Sequence, residues 1–290
     1  MNLFSLAKRI NRPLILDGAM GSMLQEKLKP KGSLWMSYAN AENPEEVYSI
    51  HKKYIEAGAD IITTNTFRTN PTALKEFPKL KSEKLVKASV RLAVKAKSKL
   101  PILVAGSNAP AEDCYQEERT ISQKELSYNH KKHIDLLISN GSDFVLNETQ
   151  SHFDEIKIIA QYCYQQKIPY IISFFFKDNL RLFSGENLFE IIKFVLEYEP
   201  LAIGFNCITY NSFKKILNKV NQSYNWGFYL NCGGGNYTDK IIKCAVSPKQ
   251  YISDIKFSLN KKPSFIGACC GSSPAHIKEI KKLLDARIKN

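Results

Sequence analysis

Three cysteines stand where their thiols can act together. Cys269 and Cys270 are adjacent, follow the short apolar run Ser264-Phe265-Ile266-Gly267-Ala268, and precede Gly271-Ser272-Ser273-Pro274, a turn that opens a helix. Neighbouring side chains on a strand point to opposite faces, so the two thiols aim at one point only where the backbone turns. Gly271, with no Cβ, permits that turn. Cys207 ends another strand-like run, Leu201-Ala202-Ile203-Gly204-Phe205-Asn206. Three thiolates with no fourth protein ligand leave zinc one open tetrahedral position, the arrangement of a catalytic site rather than a structural one. The competing reading makes each a small buried apolar residue. It accounts for any one of them, but not for the placement of all three at strand ends.

Other polar groups also follow apolar runs. Asp17 ends Leu14-Ile15-Leu16, and a carboxylate there either meets a substrate ammonium or caps the following turn. Glu148, after Phe144-Val145-Leu146-Asn147, either faces a ligand or pairs with a neighbouring Lys or Arg. Thr63-Thr64-Asn65-Thr66-Phe67 offers hydroxyls and one amide suited to an amino-acid carboxylate or amine; β-propensity and a turn explain the threonines, and Asn65 less well. Asn206 precedes Cys207 at the same rim. Trp35, Phe67 and Tyr115 lie in segments after strands, and aromatic faces bind sulfonium or quaternary ammonium groups; ordinary packing is the competing role for each. Asn231-Cys232-Gly233-Gly234-Gly235-Asn236 lacks the lysine and spacing of a P-loop and reads as a sharp turn near a ligand, with Cys232 ranked behind the other three thiols. Cys114, Cys163 and Cys244 read as ordinary thiols. The five histidines show no H-E-x-x-H spacing and receive no metal role; His130 and His133, three apart, share a face of a predicted outer helix.

Apolar, β-branched runs alternate with amphipathic segments along the whole chain. Strands are predicted over 14–16, 60–64, 102–105, 144–146, 170–175, 202–205, 227–230 and 265–267. Helices are predicted over 44–57, 82–98, 122–139, 153–166, 188–197, 212–221, 248–258 and 274–288. Eight such units predict a single (β/α)8 TIM barrel of the α/β class, and with no linker between them residues 1–290 read as one domain. A barrel places its active site at the C-terminal ends of the strands, where these polar and sulfur-bearing residues fall.

Composition narrows the function classes. A hydrophobic content of 44% supports a sizeable core, and no apolar run reaches membrane-spanning length. The start of the chain, with Leu3-Phe4-Ser5-Leu6 before Lys8 and Arg9, does not read as a signal peptide. Seven cysteines, an odd number without scaffold spacing, predict reduced thiols and a cytoplasmic protein. The net charge of +13 comes from lysines scattered along helical segments, without an RNA-binding or zinc-finger signature. It reads as solvated helical faces, so neither nucleic acid nor membrane is an expected partner.

The assembled motifs resemble the homocysteine S-methyltransferase family nearly from end to end. The residues are Asp17-Gly18-Ala19-Met20-Gly21, Asn43-Pro44, His51, Ala57-Gly58-Ala59-Asp60, Thr64-Asn65-Thr66-Phe67, Glu148-Thr149, Gly204-Phe205-Asn206-Cys207 and Gly267-Ala268-Cys269-Cys270-Gly271, with Ala268 where the family usually carries glycine. The resemblance implies a barrel that binds Zn2+ through Cys207, Cys269 and Cys270 and holds the homocysteine amino group with Asp17 and Glu148. Beside it, the reading of the residues themselves places Asn65, Thr66 and Asn206 at the substrate, and Trp35, Phe67 and Tyr115 toward a cationic methyl donor. The chain has no room for folate and cobalamin domains, and it lacks the long C-terminal extension of many betaine enzymes. The segment from Gly106 to Tyr115 departs from the Gly-Pro-Tyr-Gly type common among S-methylmethionine enzymes. A sulfonium donor, S-methylmethionine or S-adenosylmethionine, is expected, with betaine as the alternative. A zinc-binding barrel with a binding or regulatory role is the rival of another class.

Overall fold

In a computed structural model, which describes residues 3–220, 222–235, 239 and 241–288, eight parallel strands close into a barrel. The strands are β1 (Leu14–Ile15), β2 (Ile61–Thr63), β3 (Leu103–Asn108), β4 (Phe144–Gln150), β5 (Tyr170–Phe174), β6 (Ala202–Asn206), β7 (Trp226–Leu230) and β8 (Phe265–Ala268). From β2 to β8 each pairs with the next in sequence, and β8 pairs with β1 through Leu14–Phe265 and Ile15–Ile266. The ring shuts between β1 and β2, where Leu16 bridges Ile61, Asp60 N donates to Ile15 O at 2.8 Å and Asp17 N donates to Ile61 O at 3.0 Å.

Alternation along the strands sorts the core into two layers. Leu14, Leu16, Ile61, Leu103, Phe144 and Leu146 fill the barrel interior, whereas Ile15, Ile62, Val104 and Val145 pack against the surrounding helices. This is why strands buried on both faces read as continuous apolar runs.

Seven of the predicted helices match to within a few residues. The helix Gln123–Ser139 starts at a capping box in which Ser122 and Glu125 each accept from the other's backbone N–H. The predicted helix over 212–221 is displaced toward the N-terminus, to Tyr210–Leu217, because Thr209 caps it by accepting from Ser212 N; residue 221 lies outside the described residues. The sequence pattern misses the helix Leu3–Ile10. Leu3 and Leu6 join the interior cluster and plug the N-terminal end of the barrel. A helix of eight residues is marginal by itself, so tertiary burial rather than local signal stabilises it.

Candidate active site

The C-terminal ends of the strands surround a cavity of about 730 Å³. Asp17, Asn65, Glu148, Asn206, Cys207, Cys269, Cys270, Trp35, Phe67 and Tyr115 line it.

The three sulfurs come together through backbone geometry. Cys207 has φ of 55°, in the left-handed region, and turns sharply off β6. Cys269 and Cys270 leave β8 through Gly271, whose φ is 77°. A Cβ on Gly271 would lie 2.7 Å from the backbone of Gly233, so glycine is required there both for conformation and for space. Gly271→Ala is expected to lower stability by about 1–3 kcal/mol, read as a fall in thermal midpoint, and to weaken metal binding by displacing Cys270.

Cys270 Sγ lies 3.8 Å from Cys207 Sγ and 4.0 Å from Cys269 Sγ, and all three ligand atoms fall within 4.8 Å of one another. Tetrahedral ligands with metal–sulfur bonds of about 2.3 Å sit roughly 3.8 Å apart, a spacing that the two distances from Cys270 match. Cys207 and Cys269 are joined as a disulfide, with Cα atoms 5.6 Å apart. The convergence that suits a shared ion also brings this pair within bonding reach. Metal binding by all three requires the pair reduced. Burial pushes the Cys270 thiol up to about 11, with the nearby Glu148 carboxylate adding to the effect, so in the metal-free site it is protonated at neutral pH.

Asp17 is buried. Its Oδ2 accepts from Thr63 N and its Oδ1 from Thr63 Oγ1, each at 2.8 Å, and desolvation still raises its pKa to about 8. It does not cap a helix: the helix Met20–Leu24 has no side-chain cap. Glu148 accepts from Ser107 Oγ at 2.5 Å, and desolvation raises its pKa to about 7. Among the described residues it has no salt bridge to Lys or Arg. The strand carrying it runs beyond the expected 144–146, and the β4–β5 register shifts between Asn147 and Gln150, a bulge just where Glu148 meets the cavity. Two carboxyls held half-desolvated on one wall are poised for a cation.

The amide and hydroxyl candidates divide. Asn206 is fully buried and clamps Thr149: its Oδ1 accepts from Thr149 N and its Nδ2 donates to Thr149 Oγ1, each at 2.9 Å. Thr149 has φ of 57°, so Asn206 holds the bend that presents Glu148. Asn65 Nδ2 donates to Met36 O and Asn40 Oδ1, tying the β2 loop to the segment after Trp35. Thr66 is fully buried with its hydroxyl donating to Ser107 O, and it does not line the cavity. Its role in the structure is to brace β2 against β3, whose Ser107 in turn holds Glu148. Trp35 and Gly21 belong together, because a Cβ at Gly21 would overlap the indole. Tyr115 packs edge-on against Phe175 at 5.2 Å.

The remaining candidates settle elsewhere. Cys232 is buried outside the sulfur cluster and contributes its N–H to Cys270 O at 2.8 Å. Gly233 and Gly234 form a short ladder with Cys244 and Lys243 beside the cavity, and Asn236 lies outside the described residues. His130 and His133 face inward from their outer helix: His133 bonds Thr69 and Asn108, and His130 bonds Glu155. Sequence reasoning read Thr63 only as one of a run of hydroxyls suited to the substrate, whereas it holds Asp17; it gave no role to Ser107, the partner of Glu148, and overlooked Arg68. The signal for Arg68 was a cation directly after Phe67 in a mouth otherwise rich in acids.

A (β/α)8 barrel brings three converging cysteines, which could hold a metal ion, and two desolvated carboxyls, which could meet a cation, to one cavity at its mouth. The sequence profile of the family described as homocysteine S-methyltransferase matches residues 14–284, and the chain belongs to that family, methyltransferases that move a methyl group onto homocysteine and yield methionine. The homocysteine S-methyltransferase of Escherichia coli is 26% identical, over 92% of this chain and 94% of the relative. A selenocysteine Se-methyltransferase of Brassica oleracea is 24% identical, over 97% and 92%. The metallated form of the Escherichia coli homocysteine methyltransferase MmuM superposes with a TM-score of 0.81 at 24% identity, covering 97% of this chain and 99% of the other, a likeness of fold. Among the described residues no helix is long and apolar enough to cross a membrane.

Proposed function

We propose that the chain holds Zn2+ on Cys207, Cys269 and Cys270 and transfers a methyl group directly from a sulfonium donor, S-methylmethionine or S-adenosylmethionine, to homocysteine. The observation that carries this reading is the convergence of the three sulfurs with Asp17 and Glu148 on one cavity. Three sulfur donors converging on one point favour zinc over oxygen-preferring cations.

Asp17 and Glu148, once ionised, accept the homocysteine ammonium and so place its thiol toward the cysteines. When bound, zinc lowers the pKa of the substrate thiol so that the thiolate is available at neutral pH. The methyl transfer itself needs no general base: the thiolate lone pair forms the new S–C bond, the bond from methyl to the donor sulfonium breaks, and its electrons neutralise the donor sulfur. Opposite charges cancel as the methyl moves, and a cavity wall that excludes water favours this. Trp35, Phe67 and Tyr115 offer π faces to the sulfonium. All these groups belong to one barrel, read over residues 1–290. The need for three free thiols favours a reducing compartment, the cytoplasm.

The test is methionine formation by zinc-loaded, reduced protein with homocysteine and, in parallel, S-methylmethionine, S-adenosylmethionine and betaine. Methionine from a sulfonium donor, lost on chelation and restored by zinc, is the expected result. Turnover with betaine alone would overturn the donor assignment. Bound zinc without methionine from any donor would favour a binding or regulatory barrel.

A further inference from the structure

Arg68 is the only cationic side chain among the described residues that line the cavity, whose acidic residues are Asp17, Glu112, Asp113, Glu148 and Asp239. A guanidinium is a poor wall for a cationic donor unless it meets a negative part of that donor. Its placement is built. Arg68 N donates to Ser37 Oγ at 3.2 Å, Nη1 donates to Glu112 O at 2.6 Å and Nη2 donates to Asp113 Oδ2 at 3.2 Å. The side chain is 11% exposed and its guanidinium lies 5.4 Å from the Phe67 ring centroid. Those contacts occupy two of the five guanidinium N–H donors, and among the described residues no hydrogen bond to the other three is present. Glu112 meets Arg68 through its backbone carbonyl only, its carboxylate being turned to Thr120, Gln116 and Arg119.

We propose that Arg68 is a specificity-determining residue that binds the carboxylate of a zwitterionic methyl donor, placing the donor's cationic centre between Phe67 and the sulfur cluster. The inference rests on the function proposed above and deepens it. The depth of the groups separates the two substrates. Asp17 and Glu148 sit at strand ends inside the barrel, whereas Arg68 stands in the loop beyond β2 and is fastened to the loop beyond β3. A planar fork with spare N–H groups suits a carboxylate bidentately. Donors lacking a carboxylate leave those N–H groups buried without an acceptor, which penalises them.

The test is calorimetric binding to the zinc-loaded, reduced protein without acceptor, using S-methylmethionine and its methyl ester, betaine and its methyl ester, and S-adenosylmethionine and its decarboxylated form. Removing the carboxylate raises the ligand's net positive charge, so the surrounding acids alone would favour the ester. The expected result is at least about tenfold weaker binding without the carboxylate, a gap that Arg68→Gln erases and Arg68→Lys partly keeps; the pair with the gap identifies the donor. Equal binding of acid and ester in every pair, or no binding, overturns the proposal, and this comparison needs no variant to fold. In parallel turnover assays, an Arg68→Gln effect confined to the homocysteine KM would assign the arginine to the acceptor and also overturn it. Failure of methionine formation with discrimination intact would instead sink the transferase reading and leave the carboxylate site standing.

Discussion

Cys270→Ala is expected to abolish methionine formation, by on the order of 10³-fold or more, and to remove bound zinc. The variant leaves two thiols, Cys207 and Cys269, and these are the pair joined as a disulfide. A site of two sulfurs loses the third anionic ligand and, with it, most of its preference for zinc. Cys270 makes no sulfur bond of its own, and the residue is only partly buried where it lines the cavity, so truncation deletes little packing and the fold is expected to persist. Metal analysis after purification with reductant, alongside the thermal midpoint, separates loss of metal from loss of structure. One zinc per chain retained with undiminished turnover would remove Cys270 from the ligand set.

Glu148→Gln is expected to raise the homocysteine KM by about 10- to 100-fold, the value of a charge-assisted hydrogen bond in a partly desolvated site. The change is close to isosteric, and the Ser107 hydroxyl can turn to meet either amide atom. It also tests the electrostatics. Asp17 and Glu148 face the same cavity with pKa values raised to about 8 and about 7 by desolvation, and the Glu148 charge adds to the rise at Asp17. In the wild type, kcat/KM for homocysteine is expected to fall as pH drops through this range, where first one and then both carboxyls take protons. Glu148→Gln removes one proton from that dependence, so the acid limb becomes shallower.

The stability effect has the opposite sign. Between 4.5 and about 7 the folded chain holds a proton on Glu148 that the unfolded chain releases, so folding stability declines as pH rises through that window and stays low above it. The glutamine lacks this loss, and the metal-free variant is expected to melt higher than wild type at pH 8, with the gap closing toward pH 4.5. A binding group thus weakens the fold that presents it. An unchanged homocysteine KM would remove Glu148 from the ammonium site.

Much of this protein is determined by its sequence. The short continuous apolar runs, repeated eight times between amphipathic segments, specify strands buried on both faces, and a closed barrel satisfies that pattern. The strand-end positions of Asp17, Glu148, Cys207, Cys269 and Cys270 follow from the same alternation, which is why the main lining residues were legible before any coordinates. The tertiary structure decided which of the rim residues meet the cavity. Thr66 and Asn65 share one run, yet the first braces β3 from inside the wall while the second lines the opening, because the loop's course depends on partners about 25 to 40 residues away, Asn40 and Ser107. Asn206 reads as a ligand group in one dimension and in three dimensions locks the bend that aims Glu148. The pairing of Cys207 with Cys269, 62 residues apart, and the placement of Arg68 against the loop after β3 are likewise long-range facts. Local pattern reports which face a residue takes; only closure of the barrel brings residues from different strands within reach, and the chemistry of this site depends on those distances.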